Sequence, residues 1–79
     1  MTAEEIERTL IEIVQREKTI PAEKLTPETA LADAGLDSLD SLTILFAIEE
    51  HFHISIPDDR ARAIRTFGDI ANIVADLAR

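Results

Sequence analysis

The chain has no cysteine among its 79 residues, and that absence removes whole classes of chemistry. Neither a disulfide framework nor a thiolate metal site can form, and an intracellular setting is natural. A function that needs a thiol must obtain it from another molecule. Aromatics are scarce too, with three phenylalanines and no tryptophan or tyrosine. A chain this short must therefore build its core from closely packed, aliphatic-rich helices. No apolar run approaches membrane-spanning length, and Glu4, Glu5, Glu7 and Glu12 are wrong for a signal peptide. The expectation is one soluble, cytoplasmic, monomeric domain over residues 1–79, without membrane insertion, internal repeat or low-complexity segment.

Positive charge is missing from one stretch. Between Leu25 and Asp59 there are eight acids and no lysine or arginine, while the remaining residues carry eight acids and eight bases. The whole net charge of −8 therefore lies in that stretch. A solvated, solubilising face is one reading. Its concentration around a single candidate site points toward a docking surface for basic partners, and repulsion from phosphates argues against nucleic acid.

At the middle of the acidic stretch stands Gly35-Leu36-Asp37-Ser38-Leu39-Asp40. Gly35 can take the positive φ of a tight approach, Asp37 is a good N-cap, and Asp40 three residues on completes a capping pattern. Ser38 then falls in the first turn of a helix, beside unsatisfied N–H groups and the positive end of the macrodipole, where a phosphate would sit well.

Along the chain, Thr2 and Glu5 make a capping-box start, and Ile6, Leu10, Ile13 and Val14 share one face, predicting a helix over Ala3 to Glu17. Lys18 to Leu36 contains Pro21, Pro27 and Gly35 and reads as a long connection pinned by Leu25, Leu31 and Leu36. A second helix is predicted from Ser38 to His51 or Phe52. Its apolar residues Leu39, Leu42, Ile44, Leu45, Phe46, Ile48 and Phe52 span roughly 220°, well beyond the stripe a surface helix needs. Either most of this helix is core, or part of it faces a ligand or partner. Pro57 with Asp58 and Asp59 can open a short helix through Ala61 and Ile64, and Thr66 with Asp69 caps a last helix ending near Ala78. The fold class is all-α, a small four-helix bundle with three longer helices and one short third helix.

Catalysis by Ser38 is unsupported. The only histidines are His51 and His53, and His51 lies roughly 20 Å away along the same helix at 1.5 Å per residue. The glycine pattern of a nucleophile elbow is absent. Two histidines and scattered aspartates without calcium-loop spacing do not make a metal site. What remains is a passive serine that another enzyme modifies, or a helix-start residue in an acidic helical interaction module that is never modified.

Asp37-Ser38-Leu39, preceded by Gly35-Leu36 and followed by a helix ending Ile48-Glu49-Glu50-His51-Phe52, resembles the free-standing bacterial acyl carrier proteins. The likeness covers essentially the whole chain, through Ile56-Pro57-Asp58 to the Thr66-led helix. It implies a non-enzymatic carrier with 4′-phosphopantetheine on Ser38, attached from coenzyme A by a magnesium-dependent phosphopantetheinyl transferase. The arm would supply the thiol this chain lacks. Acyl intermediates would ride on it as thioesters for fatty-acid, polyketide or specialised lipid synthesis. Asp37, Asp40, Glu49 and Glu50 would meet basic patches on synthases and acyl-transferring enzymes, with Leu39 and Phe46 as apolar contacts. Ile44, Ile48 and Phe52 are candidates for an acyl-pocket wall. Thr43, where common fatty-acid carriers hold an acid, departs from the pattern, as do Arg60, Arg62, Arg65, His51 and His53, so a pathway-dedicated carrier stands beside the housekeeping one.

Overall fold

The computed structural model describes residues 2–78, which form four α-helices: α1 (Ala3–Glu17), α2 (Ser38–Phe52), α3 (Asp58–Arg62) and α4 (Phe67–Leu77). Helix α1 starts because the Thr2 hydroxyl accepts from the Glu5 N–H at 3.1 Å. The Glu5 carboxylate takes the Thr2 hydroxyl at 3.3 Å, so the expected box closes through side chains. One face of α1 then buries Ile6, Leu10, Ile13 and Val14, and the helix packs against both α2 and α4. From α4 come Phe67, Ile70, Ile73 and Val74, and from α2 Ile44, Leu45 and Ile48. Aliphatic burial of this kind contributes about 1.5–3 kcal/mol per fully buried side chain. Among the described residues, no charged or polar residue is buried in this core.

The long connection carries two single turns of 3-10 helix, Ala22–Lys24 and Ala32–Ala34. Leu25 and Leu36 are buried as expected, and Leu31 is half-buried against the core. Its middle is stitched to the start of α4. Leu31 N–H donates to the Arg65 carbonyl at 2.9 Å, Phe67 N–H to that of Thr29 at 3.2 Å, and Gly68 N–H to that of Pro27 at 2.9 Å. These bonds flank an isolated antiparallel bridge between Ala30 and Thr66. A Cβ at Gly68 would lie 2.9 Å from the Pro27 carbonyl oxygen, so the approach requires glycine there.

Helix α3 is shorter than the expected run to Ile64. Pro57 occupies its cap position, and the Ala63 N–H closes the last turn onto the Arg60 and Ala61 carbonyls. Tightening to a 3-10 turn ends the helix and leaves Ile64 to turn into the core. Helix α4 begins with a full capping box between Thr66 and Asp69. The Asp69 carboxylate also accepts the Arg65 N–H at 2.8 Å. That bond first, and then the one from Thr66, hold its pKa below the ordinary value of 3.8.

Candidate functional site

The approach to α2 is set by backbone conformation. Gly35 adopts φ 84°, and nothing lies within 4 Å of a Cβ built there, so the requirement is conformational and not steric. Leu36 drops into the core, and extended Asp37 caps α2 by accepting from the Asp40 N–H at 2.8 Å. The Asp40 carboxylate reaches back toward the Asp37 N–H at 3.4 Å, completing the box.

Ser38 is thereby fixed as the first residue of α2, and it is exposed. Its neighbours' hydroxyls are occupied: Ser41 Oγ donates to the Asp37 carbonyl at 3.0 Å and Thr43 Oγ1 to the Leu39 carbonyl at 3.1 Å. No such side-chain bond, among the described residues, engages Ser38. Beside it runs an open groove of about 670 Å³ between α2 and α3. Buried Leu36, Leu45 and Ile64 line its depth, and exposed Asp37, Ser38, Arg62 and Arg65 line its edge.

The acids expected at a docking face differ in their surroundings. Asp37 and Glu50 are exposed. Asp40 is bonded to Lys18, Nζ to Oδ1 at 2.8 Å, and this bond above all holds its pKa below the ordinary 3.8. Lys18 is raised above its ordinary 10.5 by the same hydrogen bond. Glu49 is half-buried, and its Oε2 accepts the Ile56 N–H at 2.7 Å, tying the end of α2 to the turn before α3. Three of the four acids thus have intramolecular partners, Asp37 through the Asp40 N–H, Asp40 through Lys18 and Glu49 through the Ile56 N–H.

The wide apolar arc of α2 divides. Ile44 and Ile48 are 1% and 0% exposed, whereas Leu39, Phe46 and Leu42 are 73%, 63% and 47% exposed. Leu42 joins Leu39 and Phe46 on one solvent-facing stripe; its spacing, three after Leu39 and four before Phe46, is the signal that places it there. Ile44 and Ile48 lie in the closed core, with Phe52 half-buried against it. His51 meets the Phe52 ring edge-on, centroids 5.0 Å apart, and His53 caps α2 at φ 57°. No group of three His, Asp or Glu able to hold a metal occurs among the described residues, and no described helix is long and apolar enough to cross a membrane.

The fold and this site define a helical bundle that presents an exposed serine at a helix start. The phosphopantetheine attachment site family matches residues 8–74. Proteins named acyl carrier protein in two strains of Porphyromonas gingivalis are each 35% identical over 71 residues, covering 89% of this chain and 91% of theirs. The chain belongs to the acyl carrier protein family. It is a carrier and not an enzyme, and its cofactor is covalently bound 4′-phosphopantetheine. The residues present fit that group: an exposed, unengaged hydroxyl to form the ester, and beside it a groove that is apolar in depth and charged at the edge.

Proposed function

We propose that Ser38 is the attachment residue, linked by a phosphodiester to 4′-phosphopantetheine that a phosphopantetheinyl transferase delivers from coenzyme A. The observation that carries this reading is the free, exposed Ser38 hydroxyl at the start of α2, where Ser41 and Thr43 are tied to the backbone. The bound group supplies the thiol on which acyl intermediates of fatty-acid or specialised lipid or polyketide synthesis are held as thioesters. Asp37 fixes the geometry of the helix start, and Gly35 lets the chain reach it.

Leu39, Leu42 and Phe46, flanked by Asp37 and Glu50, form the docking face for the transferase and for synthases with basic patches. Complementary charge raises the rate of encounter without demanding a long-lived complex, which suits a carrier that must leave each enzyme. Ile44, Ile48 and Phe52 form the wall of a pocket that opens when an acyl chain enters. The domain acts as a cytoplasmic monomer over residues 1–79. An acyl-coenzyme A supplied with magnesium and a transferase tests the assignment. Uptake of acyl-phosphopantetheine by the wild type, released by neutral hydroxylamine as a thioester is, and none by Ser38→Ala is the expected result. Equal uptake by the variant contradicts it.

A further inference from the structure

Three arginines lie at and beyond α3, and the structure uses them differently. Arg60 pairs with Asp76 at 2.9 Å. Arg65 Nη1 donates to the carbonyls of Arg62 at 2.9 Å and Ile64 at 3.0 Å, which holds its guanidinium in place without neutralising it. No ion pair among the described residues includes Arg62 or Arg65. Both line the groove that also contains Ser38.

The groove therefore differs in charge balance from the acidic stretch around it. The sequence from Leu25 to Asp59 holds eight acids and no base, yet along the groove two acids, Asp37 at the head of α2 and Asp58 in α3, are matched in number by Arg62 in α3 and Arg65 just beyond it. A guanidinium has five N–H donors in a planar fork, and Arg65 commits Nη1 alone to the backbone. The remaining donors, with those of Arg62, suit an oxyanion. An anion placed on Ser38 would otherwise face Asp37 directly and Asp40 in the same turn, and the nearby Lys18 ammonium is already bonded to Asp40.

We propose that Arg62 and Arg65 form a docking site for the phosphodiester anion borne by Ser38, holding the arm along the groove between α2 and α3 when no partner enzyme is bound. The proposal rests on Ser38 as the attachment residue. A carboxylate at the far end of an acyl group offers the same chemistry, so the free-thiol form, whose arm has the phosphodiester as its only anion, separates the two sources.

The test compares unmodified and free-thiol phosphopantetheinylated protein for the wild type, Arg62→Gln, the double variant Arg62→Gln/Arg65→Gln, and Arg60→Gln as control. Mass reports loading, ³¹P resonance the phosphodiester, and melting temperature the coupling. Arg62→Gln removes no backbone bond and is the variant least exposed to misfolding. Expected is a shift of the ³¹P resonance in both Arg62 variants. The gain in melting temperature on modification should fall by about 2–4 °C in the double variant at low salt, with most of that difference lost at high salt. Arg62→Lys, which keeps the charge, restores most of the effect, and Arg60→Gln changes neither readout. Loading with an unchanged resonance and an unchanged melting difference overturns the arginine site alone, as does an effect seen only with a carboxylate-ended acyl group. Failure of the wild type to load overturns the attachment reading beneath it.

Discussion

Lys18, the cap residue that follows α1, places its ammonium 2.8 Å from the Asp40 carboxylate in the first turn of α2, and so joins the two helices beside the candidate attachment serine. An acid expected to face partners is thus already paired within the chain. A basic group on a docking enzyme must share or displace Lys18 to reach it.

The pairing has a defined pH range. Asp40 is held below its ordinary 3.8, so its contribution is present above that value and is lost as pH falls through the folded value. Lys18 is raised above 10.5, so its contribution is complete below 10.5 and is lost as pH rises through the folded value. Lys18→Met should therefore melt below the wild type across the neutral range, with the gap closing at both extremes and shrinking in salt. A gap independent of pH and salt would show that lost stem packing, and not charge, is the cause.

Glu49 and Glu50 are neighbours in sequence with different work to do. Glu49→Ala removes the acceptor for the Ile56 N–H and should cost about 1–2 kcal/mol in urea unfolding. Glu50→Ala and Phe46→Ala, at exposed positions, should stay within about 0.5 kcal/mol of the wild type while slowing loading by the transferase. Normal loading rates in both would remove them from the docking face.

Three backbone positions separate conformation from sterics. Gly35→Ala should cost about 1–2 kcal/mol through its φ of 84°, since space for a Cβ is available. Gly68→Ala should cost about 1–3 kcal/mol through its clash with Pro27. His53→Gly, which relieves a side chain at φ 57°, should raise stability by a few tenths to about 1 kcal/mol. Thermal or denaturant unfolding reads all three, and a neutral Gly68→Ala would mean that the loop can retreat from α4.

An acyl chain entering between Ile44, Ile48 and Phe52 should stabilise the protein by about 0.8 kcal/mol per buried methylene until the space is filled. Ile48→Ala should cost the unloaded protein about 2–5 kcal/mol and regain part of that loss on long-chain loading. Acyl forms of every length melting alike would contradict an internal pocket.

Helices α1, α2 and α4 were legible because a capping residue preceded each apolar face: Thr2, Asp37 and Thr66 mark their starts in the structure as in the sequence. Ser38 was legible for the same reason, its place in the first turn following from Asp37. The turns Ala22–Lys24 and Ala32–Ala34 were not, since three residues carry no period. Helix α3 was overextended because Ala61 and Ile64 keep helical spacing, while its end is set by the tight turn at Ala63. Lys18–Asp40, Glu49–Ile56 and Gly68–Pro27 depend on how distant segments meet, and local pattern holds no record of that. The excess apolar arc of α2 was visible, but its division between core Ile48 and exposed Phe46 required the positions of α1 and α4.

The most direct measurement is intact mass after incubation with coenzyme A, magnesium and a broad-specificity phosphopantetheinyl transferase, with Ser38→Ala alongside and circular dichroism confirming that both are folded. The account predicts a gain of one phosphopantetheine in the wild type and none in the variant. A folded wild type that several transferases leave unchanged, or a variant that gains the same mass, would contradict it.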